Sequence, residues 1–491
     1  MEKSADQSRR DFLKRSAGTF ALTGLLAPPM IVPASALGRG ATPPSDRVTV
    51  GINGSGQRAV FETLQYPCFD NVVIVAASDA VRSHLQDAKD KLEKQYDLKQ
   101  PERPNRGIRM YDDFRELLAQ KDIDAVYNVA PDHWHVSMLL YSLKAGKHVH
   151  VEKPLGVSVE QDLAAVKAVR KFPKQVCQYG TELRAYPAAK KGIELVLNGR
   201  IGKVQKIYVT APASRAGGSA TPVLPVPDGF NYDAWLGPAP MKPFCYDRCL
   251  RPDRAGIFDI QDYCLGMINN WGAHLLDQMQ RWADASGRKD PPVHYEGSGT
   301  FPKEGLFDCA TQWRVQCTWA DGLVLDFMDS NTYRGLPDAP QPVINPPRAG
   351  VPNGVVFIGS EGWVVVSYGN NGAVVTQPAS LMESVIGPNE IHIADSALES
   401  IPANLPKGFQ ETLTAGHHQN WIRAVLTGSP VASPIESACR SDLISQLSQL
   451  CILTGQPVRW DPKKETIVGN DAAKKLIKRP MREPWGVEGF A

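Results

Sequence analysis

The sequence lacks the features that would mark several specialised classes of protein. Its nine cysteines include no CxxC pair and no Cys/His spacing suited to zinc, and Cys245 and Cys249 are the closest two. The net charge is only +2, from 54 basic and 52 acidic residues, so nothing in the charge favours nucleic acid or an anionic membrane as partner. No internal repeat is evident. We therefore expect a protein that binds a small molecule and has no metal site.

A long uninterrupted apolar run is also missing. The most apolar stretch near the N-terminus, residues 17–32, is interrupted by Gly18, Thr23, Gly24 and Pro28, which makes it a poor membrane span. It follows a twin-arginine sequence at residues 8–14 and precedes an Ala-Ser-Ala triplet at 34–36. This order is typical of a Tat export signal, although a chance basic N-terminus is the alternative. We expect recognition by the Tat export machinery, a mature chain from near Leu37, and a periplasmic or other extracytoplasmic location.

The patterning predicts an α/β protein with two domains. Strand and helix signals alternate through the first part of the chain, which is typical of a doubly wound parallel sheet. Later alternating runs, such as residues 311–319 and 323–329, predict a mostly antiparallel sheet with one covered face. The predicted divisions are a signal at 1–36, a linker at 37–46, a Rossmann dinucleotide-binding domain at 47–155, an α+β substrate domain at 156–460, and a tail at 461–491 that packs on the surface or at a subunit contact.

A glycine turn follows the first predicted strand, in the sequence GINGSGQRA. Gly54, Gly56 and Ala59 fit the G-x-G-x-x-G/A fingerprint, in which the first glycine permits a tight turn and the second lets the backbone approach a pyrophosphate. The helix that starts near Ala59 would direct its N-terminus at that phosphate. We therefore expect a dinucleotide cofactor at this turn.

The acid after the second strand bears on which dinucleotide binds. Asp79 ends the apolar run 72–77, where a carboxylate can bond the adenosine ribose hydroxyls. A carboxylate there would repel a 2′-phosphate, which favours NAD. Arg82 and Ser78 lie close to Asp79 in the sequence, so NADP remains an alternative cofactor.

The stretch AGKHVHVEKPL, residues 145–155, predicts a helix end, a glycine turn and a short strand that stops at Pro154. A ligand on an open parallel sheet lies beyond the carboxyl ends of the strands, so Glu152 and Lys153 are expected at the crevice. A cation there can stabilise a developing alkoxide. Lys153 is therefore our first candidate for a catalytic residue.

Several motifs together resemble one known family. The glycine turn, PDHWH at 131–135 and EKP at 152–154 are similar to motifs of the glucose-fructose oxidoreductase / inositol dehydrogenase / rhizopine catabolism (Gfo/Idh/MocA) family. QYGTELR at 178–184, GRIGKV at 199–204, WLGPAP at 235–240, WGAHLLD at 271–277 and the tail at 460–485 resemble its exported, Tat-signal branch. The resemblance implies a nicotinamide-dependent oxidoreductase acting on CH–OH groups, and a homo-oligomer.

The resemblance also implies roles for individual residues. The family's Asp-x-x-x-His segment corresponds here to Asn270 and His274, so His274 is the expected acid/base and Asn270 is a departure from the pattern. A structural histidine is the alternative for His274. The expected catalytic residues are Lys153, His274, Asn270 and Tyr179, and the expected substrate-binding residues are Arg184, Tyr186, Trp271 and Asp277. The expected cofactor-binding residues are Gly51, Gly54, Ser55, Gly56, Gln57, Arg58, Asp79, Ala130, Pro131, His133, His135, Glu152 and Lys153.

These observations predict an exported oxidoreductase that moves hydride between a carbinol carbon of a sugar, polyol or glycoside and NAD, with NADP possible. Export predicts tight retention of the cofactor, because no ready pool of nucleotide exists outside the cytoplasm. One alternative is a redox-assisted glycosidase or lyase, with Tyr179 or His274 as the base. The other is a sugar-binding protein without catalysis, which Asn270 favours.

Overall fold

The computed structural model describes residues 46–102, 105, 107–250, 255–341, 353–368, 373–393 and 409–487. The predicted export signal at 1–36 lies outside the described residues. Backbone contacts group Val48–Ala491 into one unit. Among the helices within the described ranges, none combines the length and the apolar character needed to cross a membrane.

Six strands form a parallel sheet in the first part of the chain. Short runs rich in Val, Ile and Ala build most of them, as expected for strands buried on both faces. Their order is β3-β2-β1-β4-β5-β6, with every neighbouring pair parallel. The strands are β1 (Val48–Asn53), β2 (Val72–Ser78), β3 (Arg109–Tyr111), β4 (Ala125–Asn128), β5 (His148–Val151) and β6 (Cys177–Tyr179). This order is that of a doubly wound dinucleotide-binding fold, which confirms the predicted Rossmann sheet.

Helices connect these strands on both sides of the sheet. Ser158 begins the last of them by accepting a hydrogen bond from the backbone N–H of Gln161 at 3.3 Å, a typical N-cap. The α-helices are α1 (Gln57–Thr63), α2 (Arg82–Lys99), α3 (Phe114–Leu118), α4 (His135–Lys144) and α5 (Val159–Lys171). Short 3₁₀ helices occur at Tyr66–Cys68, Asp132–Trp134 and Glu182–Ala185.

The second sheet has nine strands in the order β13-β12-β11-β7-β10-β9-β8-β14-β15. Only β7 and β10 pair in parallel, so the predicted mostly antiparallel sheet is confirmed. The strands are β7 (Val204–Ala211), β8 (His294–Thr300), β9 (Gln312–Thr318), β10 (Val324–Asp329), β11 (Gly354–Gly359), β12 (Trp363–Ser367), β13 (Val374–Gln377), β14 (Val458–Asp461) and β15 (Thr466–Val468).

One face of this sheet is covered by helices. Along β9, Trp313, Val315 and Cys317 are buried while the residues between them are more exposed, which is the alternation expected for a one-sided sheet. The covering helices are α6 (Pro187–Leu197), α11 (Gly272–Ala285) and α14 (Ile435–Thr454). Their apolar contacts continue into the parallel sheet, so both sheets share one core.

The remaining helices are short, apart from one in the last third of the chain. Three of them lie in the glycine- and proline-rich segment 212–259, which is otherwise irregular, as the sequence predicted. These helices are α7 (Tyr232–Leu236), α8 (Tyr246–Cys249), α9 (Ala255–Phe258), α10 (Met267–Asn270), α12 (Ser330–Arg334), α13 (Phe409–Thr427) and α15 (Asp471–Lys475), with a 3₁₀ helix at Ala379–Glu383.

The structure differs from the predicted divisions at two places. Strand β6 pairs with β5 in the parallel sheet, so that sheet continues past residue 155, where we placed the boundary. The tail is more than a surface cover, because β15 is the edge strand of the second sheet and Trp485 is 7% exposed. Strands β14 and β15 are short and were not predicted, because each carries only three or four residues of pattern and no flanking motif.

Candidate active site

A cavity of about 570 Å³ opens between the two sheets. It lies beyond the carboxyl ends of β1, β2 and β4, where the strand order of the parallel sheet reverses, which is the usual ligand position in such folds. Its walls come from both halves of the molecule. The predicted site residues on these walls are Gly54, Gly56, Gln57, Arg58, Asp79, Ala130, Pro131, His135, Glu152, Lys153, Asn270, Trp271 and His274.

The glycine turn after β1 has the geometry that a dinucleotide requires. Gly54 has φ = +90°, and a Cβ on it would lie 2.6 Å from the backbone N of Ala130. Only glycine fits such a conformation and approach without strain. At Gly56, a Cβ would meet no atom within 4 Å, so the backbone faces open space in the cavity. The turn therefore leaves room for a pyrophosphate against the main chain.

The carboxylate of Asp79 is fixed at the end of β2. It accepts hydrogen bonds from the backbone N–H of Ser55 at 2.6 Å and of Val81 at 2.8 Å. This holds a negative charge on the cavity wall beside the glycine turn. Arg82, the residue that kept NADP open, pairs instead with Asp112 at 2.8 Å. The ribose end of the cavity thus suits NAD better than a phosphorylated ribose.

Lys153 is held across the cavity by the second half of the chain. Its Nζ donates to Oδ1 of Asn270 at 3.0 Å and to the backbone O of Asn270 at 3.3 Å. The amide nitrogen of Asn270 in turn donates to Asp132 at 2.9 Å, which directs its oxygen at the lysine. The side chain of Asn270 therefore binds both Lys153 and Asp132.

Three rings form the wall next to this lysine. The ring of Tyr368 lies 4.8 Å from that of His274 and 4.9 Å from that of Trp271. Burial, and next the charge of Lys153, hold the pKa of His274 well below its usual range. Nδ1 of His274 has no hydrogen-bond partner among the described residues. His274 is therefore a neutral imidazole and a weak base.

Behind this wall, Arg58 binds three buried glutamates. Its guanidinium forms ion pairs with Glu62 and with Glu182, the latter at 3.1 Å, and its Nε lies 3.9 Å from Glu152. We call Arg58, Glu62, Glu152 and Glu182 the carboxylate cluster. The three glutamates come from α1, the end of β5 and the 3₁₀ helix after β6, so one cation joins three separate elements.

Burial makes this cluster hold protons at neutral pH. It raises the pKa of Glu62 to about 7, against the opposing charge of Arg58. It raises the pKa of Glu152 to about 8, and the charge of Glu62 adds to this effect. Burial alone would lower the pKa of Arg58, but the three carboxylates raise it well above its usual value. The hydroxyl of Tyr127 lies within hydrogen-bond distance of both Glu62 and Glu152, at 2.9 Å in the second case.

Three of the predicted cofactor residues do not line the cavity. Gly51 lies within β1, where a Cβ would strike Leu117, so its role is in packing. The Oγ of Ser55 donates to the backbone O of Ser78 at 3.2 Å. His133 is buried, with Nε2 at 3.0 Å from the backbone O of Trp235. His135 does reach the cavity wall, and its ring nitrogens bind the carbonyl oxygens of Pro154 and Ala130.

The predicted base Tyr179 and three predicted substrate residues are also away from the cavity. Tyr179 is fully buried, and its hydroxyl donates to Asp442 at 3.0 Å. Arg184 and Asp277 form a buried two-point ion pair with each other, at 2.6 and 2.8 Å. Tyr186 is 2% exposed and packs in the core. These four residues therefore hold the fold together beneath the site.

Tyr368 and Trp485 are among the cavity residues that the sequence did not predict. Tyr368 directly follows β12, and Trp485 lies in the tail. The only signal for Tyr368 was its position after a strand, since no local motif contains it. The ring of Trp485 packs 4.7 Å from that of Trp134, and the guanidinium of Arg115 lies 4.9 Å from its centre. Both residues reach the site only through tertiary packing.

The segment 229–239, which we call the arm, closes the ribose side of the cavity. The backbone N–H of Arg82 donates to the carbonyl of Gly229, and that of Asn231 to the carbonyl of Ala80, each at 2.8 Å. Further along, the indole of Trp134 donates to the carbonyl of Trp235 at 3.0 Å. The arm is thus bound to the parallel sheet on both sides of the switch point.

The tail binds over the arm. The backbone N–H of Arg482 donates to the carbonyl of Pro238 at 3.1 Å, and its guanidinium pairs with Asp233. On the other side, Ser137 of α4 donates to the carbonyl of Trp485 at 3.0 Å. The tail therefore connects the arm to the Rossmann helices.

No group of three His, Cys, Asp or Glu side chains in the described part of the chain is arranged to hold a metal. All nine cysteines are buried and unpaired. The expectation of no metal site stays a prediction.

Comparison with protein families identifies the chain's relatives. The model of the Gfo/Idh/MocA oxidoreductase family, NAD-binding Rossmann fold, matches residues 48–180, and that of its C-terminal alpha/beta domain matches residues 190–341. The chain belongs to this family. The chain therefore has an NAD-binding Rossmann domain, and the cavity with its glycine turn and Asp79 is the candidate cofactor site.

Individual relatives match only parts of the chain. It is 28% identical over 165 residues to the uncharacterized oxidoreductase YrbE of Bacillus subtilis, covering 34% of this chain and 44% of that protein. It is 31% identical over 134 residues to a glycosyl hydrolase family 109 protein of Shewanella baltica, covering 27% of this chain and 28% of that protein. Each match therefore spans less than half of the relative.

Solved structures share the fold at low identity. Levoglucosan dehydrogenase, in complex with NADH and L-sorbose, aligns with a TM-score of 0.57 at 16% identity, covering 85% of this chain and all of that one (100%). Myo-inositol 2-dehydrogenase of Lactobacillus plantarum aligns with a TM-score of 0.52 at 17% identity, covering 84% and 99%. These likenesses establish the architecture.

The raised pKa values in the carboxylate cluster predict a specific pH dependence of stability. The folded protein keeps a proton on Glu152 up to about pH 8, whereas the unfolded chain loses it at its ordinary pKa of 4.5. The proton on Glu152 therefore stabilises the folded wild type in acid, and this stabilisation is lost as the pH rises through about 8. In Glu152→Gln this loss is absent, so its free energy of unfolding relative to wild type should improve from about pH 5 to about pH 8, by on the order of 2 kcal/mol.

Urea denaturation at several pH values measures this difference. Glu296→Gln is the matched control, because Glu296 is exposed on β8. Parallel pH profiles for wild type and Glu152→Gln would show that the cluster is ionised throughout.

Proposed function

We propose that the protein is an exported, NAD-dependent oxidoreductase that moves hydride between a carbinol carbon of a sugar, polyol or glycoside and a cofactor that it retains. The observation that carries this proposal is the position of Lys153, held by Asn270 on the wall where the cofactor half of the cavity meets the substrate half. The names of the structural neighbours, dehydrogenases of levoglucosan and of myo-inositol, support a polyhydroxylated substrate.

Lys153 supplies the electrostatic part of the reaction. An ammonium group has three N–H donors, and Asn270 takes two of them. The third is available to a substrate oxygen, where a fixed positive charge stabilises the alkoxide that forms as hydride leaves. The bound nicotinamide supplies the hydride acceptor. Asn270 and Asp132 hold the lysine in place, so the reacting oxygen meets a preorganised donor.

The arm and the tail support cofactor retention. The arm is bound to the Rossmann half by backbone hydrogen bonds, and the tail is bound to the arm and to α4. Trp485 lines the cavity beside Trp134 and Arg115. These contacts would hold a nucleotide that lies beneath them. Outside the cytoplasm, where nucleotide is scarce, retention requires redox-neutral cycling, with one sugar oxidised and another, or the same one, reduced.

Redox-assisted cleavage of a glycoside is the second candidate. It is favoured by the match to glycosyl hydrolase family 109 proteins and by the same enclosure of the cofactor. Transient oxidation of the sugar would acidify a neighbouring C–H and allow the aglycone to leave. A binding protein without catalysis is less favoured than the sequence suggested, since Asn270 has a role in holding Lys153.

The first test is the substitution Lys153→Met. Wild-type protein loaded with NAD is offered myo-inositol, D-glucose, levoglucosan and nitrophenyl glycosides, with nicotinamide absorbance and nitrophenol release as the two readouts. We expect turnover by the wild type and a loss of roughly 100- to 1,000-fold in kcat for Lys153→Met, because the alkoxide loses its donor.

Lys464→Met is the control, since Lys464 is 76% exposed on the tail. Nitrophenol release without net change in absorbance assigns the second candidate. Absence of turnover by the wild type on every probe contradicts both enzymatic proposals.

The second test concerns retention. Protein purified from its exported location is denatured and the released nucleotide is identified and counted by mass spectrometry. We expect close to one NAD per chain in the wild type after prolonged dialysis. Trp485→Ala opens the tail contact, so its bound nucleotide should exchange with added nucleotide roughly 10-fold faster or more, the effect of removing about 1.4 kcal/mol of contact energy.

Leu476→Ala is the control, because Leu476 belongs to the tail but is 46% exposed and does not line the cavity. Equal exchange rates in wild type, Trp485→Ala and Leu476→Ala would argue against retention by the tail. Protein that emerges without nucleotide would argue against retention altogether.

A further inference from the structure

Tyr368 connects the substrate wall to the carboxylate cluster. Its ring lies on the cavity beside His274 and Trp271, and its hydroxyl donates to Oε1 of Glu182 at 2.8 Å. A hydroxyl has one proton to give and two lone pairs that can receive one. The phenol oxygen can therefore take a proton from the cavity side while its own proton moves to Glu182.

Glu182 is well placed to accept that proton. Its side chain is 2% exposed, and its other oxygen binds Arg58 at 3.1 Å. Arg58 joins it to Glu62 and Glu152, whose side chains are 1% and 6% exposed. The three carboxyl groups are thus almost completely buried, while Arg58 is 28% exposed and, with Glu152, also lines the cavity.

Other charged and titratable groups face the cluster from every side. Lys153 lies on the cavity side, next to Glu152 in the chain, and its charge favours the ionised form of both Glu62 and Glu152. The hydroxyl of Tyr127, on β4, lies within hydrogen-bond distance of Glu62 and Glu152, and His418 of α13 lies 3.4 Å from Glu62. Burial lowers the pKa of His418 to about 4, so it stays neutral.

Three further groups, His150, His417 and Tyr66, interact with the cluster as His274 and Tyr186 do. Burial disfavours the charged form of each of these five groups, because it lowers the pKa of the histidines and raises the pKa of the tyrosines. Arg58 and Lys153 are thus the cations beside the cluster, against three carboxyl groups. The group carries a proton at neutral pH and can exchange it without a change of net charge in the molecule.

We propose that Tyr368 is a catalytic proton carrier and that Glu182, a member of the carboxylate cluster, takes its proton and stores it until the reverse step. The proposal rests on the oxidoreductase function proposed above. On oxidation, the substrate O–H bond breaks and an O–H bond forms on Tyr368, while the former Tyr368 O–H bond breaks and one forms on Glu182. The electron pair of the carbinol C–H bond leaves as hydride to the nicotinamide dinucleotide, so atoms and electrons balance.

Storage of the proton has a consequence for the whole cycle. A retained cofactor keeps the hydride, and the buried cluster keeps the accompanying proton. Both are then available to reduce the second carbonyl, or to return to the same carbon. The redox-neutral cycle would need no exchange of protons with the surrounding medium, whose pH outside the cytoplasm is not controlled.

The test follows protons and hydride in a single turnover. NAD-loaded protein in weak buffer with a pH indicator is mixed with whichever of myo-inositol, D-glucose and levoglucosan the wild type oxidises fastest. Nicotinamide absorbance reports the hydride, and the indicator reports protons that reach solvent. We expect the wild type to form the reduced cofactor with well under one proton released per hydride.

The variants Tyr368→Phe and Glu182→Gln remove the two carriers. We expect each to lower kcat by about 100-fold or more with KM little changed, as for loss of a positioned proton-transfer group. Their residual turnover should release one proton per hydride, because the cluster is no longer connected. Tyr333→Phe and Glu194→Gln are matched controls, since both residues are buried and hydrogen-bonded but lie off the cavity.

The outcomes separate the two proposals. Wild-type turnover that releases one proton per hydride, at the rate of cofactor reduction, would show that the cluster does not store the proton. This outcome needs no folded variant. Unchanged kcat and pH profile in Tyr368→Phe and Glu182→Gln would show that Tyr368 and Glu182 do not carry the proton. No turnover by the wild type on any probe overturns the proposed function and the relay with it.

Discussion

The ion pairs of Arg58 are the interaction on which the rest of the site depends. One guanidinium binds carboxylates from α1, from the end of β5 and from the 3₁₀ helix after β6. Removing a cation from such a group would leave uncompensated buried charge, which costs several kcal/mol. Arg58 therefore fixes Glu152, and with it the neighbouring Lys153, at the point where the parallel sheet meets the second domain.

Contacts with this cluster position the other groups proposed for the chemistry. Lys153 reaches across to Asn270, whose amide is fixed by Asp132, so the catalytic cation is bonded to both halves of the molecule. On the other side of the cluster, Glu182 binds Tyr368 on the substrate wall. The same buried group thus sets the position of a cation for the substrate oxygen and provides a place for its proton. Enclosure by the arm and the tail suits a site that keeps both the hydride, on its cofactor, and the proton.

The fold and the cofactor half of the site could be predicted from the sequence because local patterns carry them. Apolar runs ending in Gly54, Asp79 and Lys153 place those residues at strand ends, and strand ends of one sheet converge. The substrate half could not be predicted in the same way. Tyr179 is the last residue of β6 and so lies at a strand end, as Lys153 does, yet its side chain turns into the core and binds Asp442. Tyr368 directly follows a strand of the other sheet, more than 200 residues after Lys153. Which tyrosine faces the cavity is decided by packing between sheets, and no short motif records it.

The most direct test of the account is infrared spectroscopy of the protein with its glutamates labelled with ¹³C at the carboxyl group. The account predicts a protonated carboxylic-acid band that persists at about pH 6.5, disappears only above about pH 8, and is lost in a Glu62→Gln, Glu152→Gln double variant. Complete ionisation of all labelled glutamates by about pH 5.5 would contradict it, because the cluster would then have no proton to store and no means to return one.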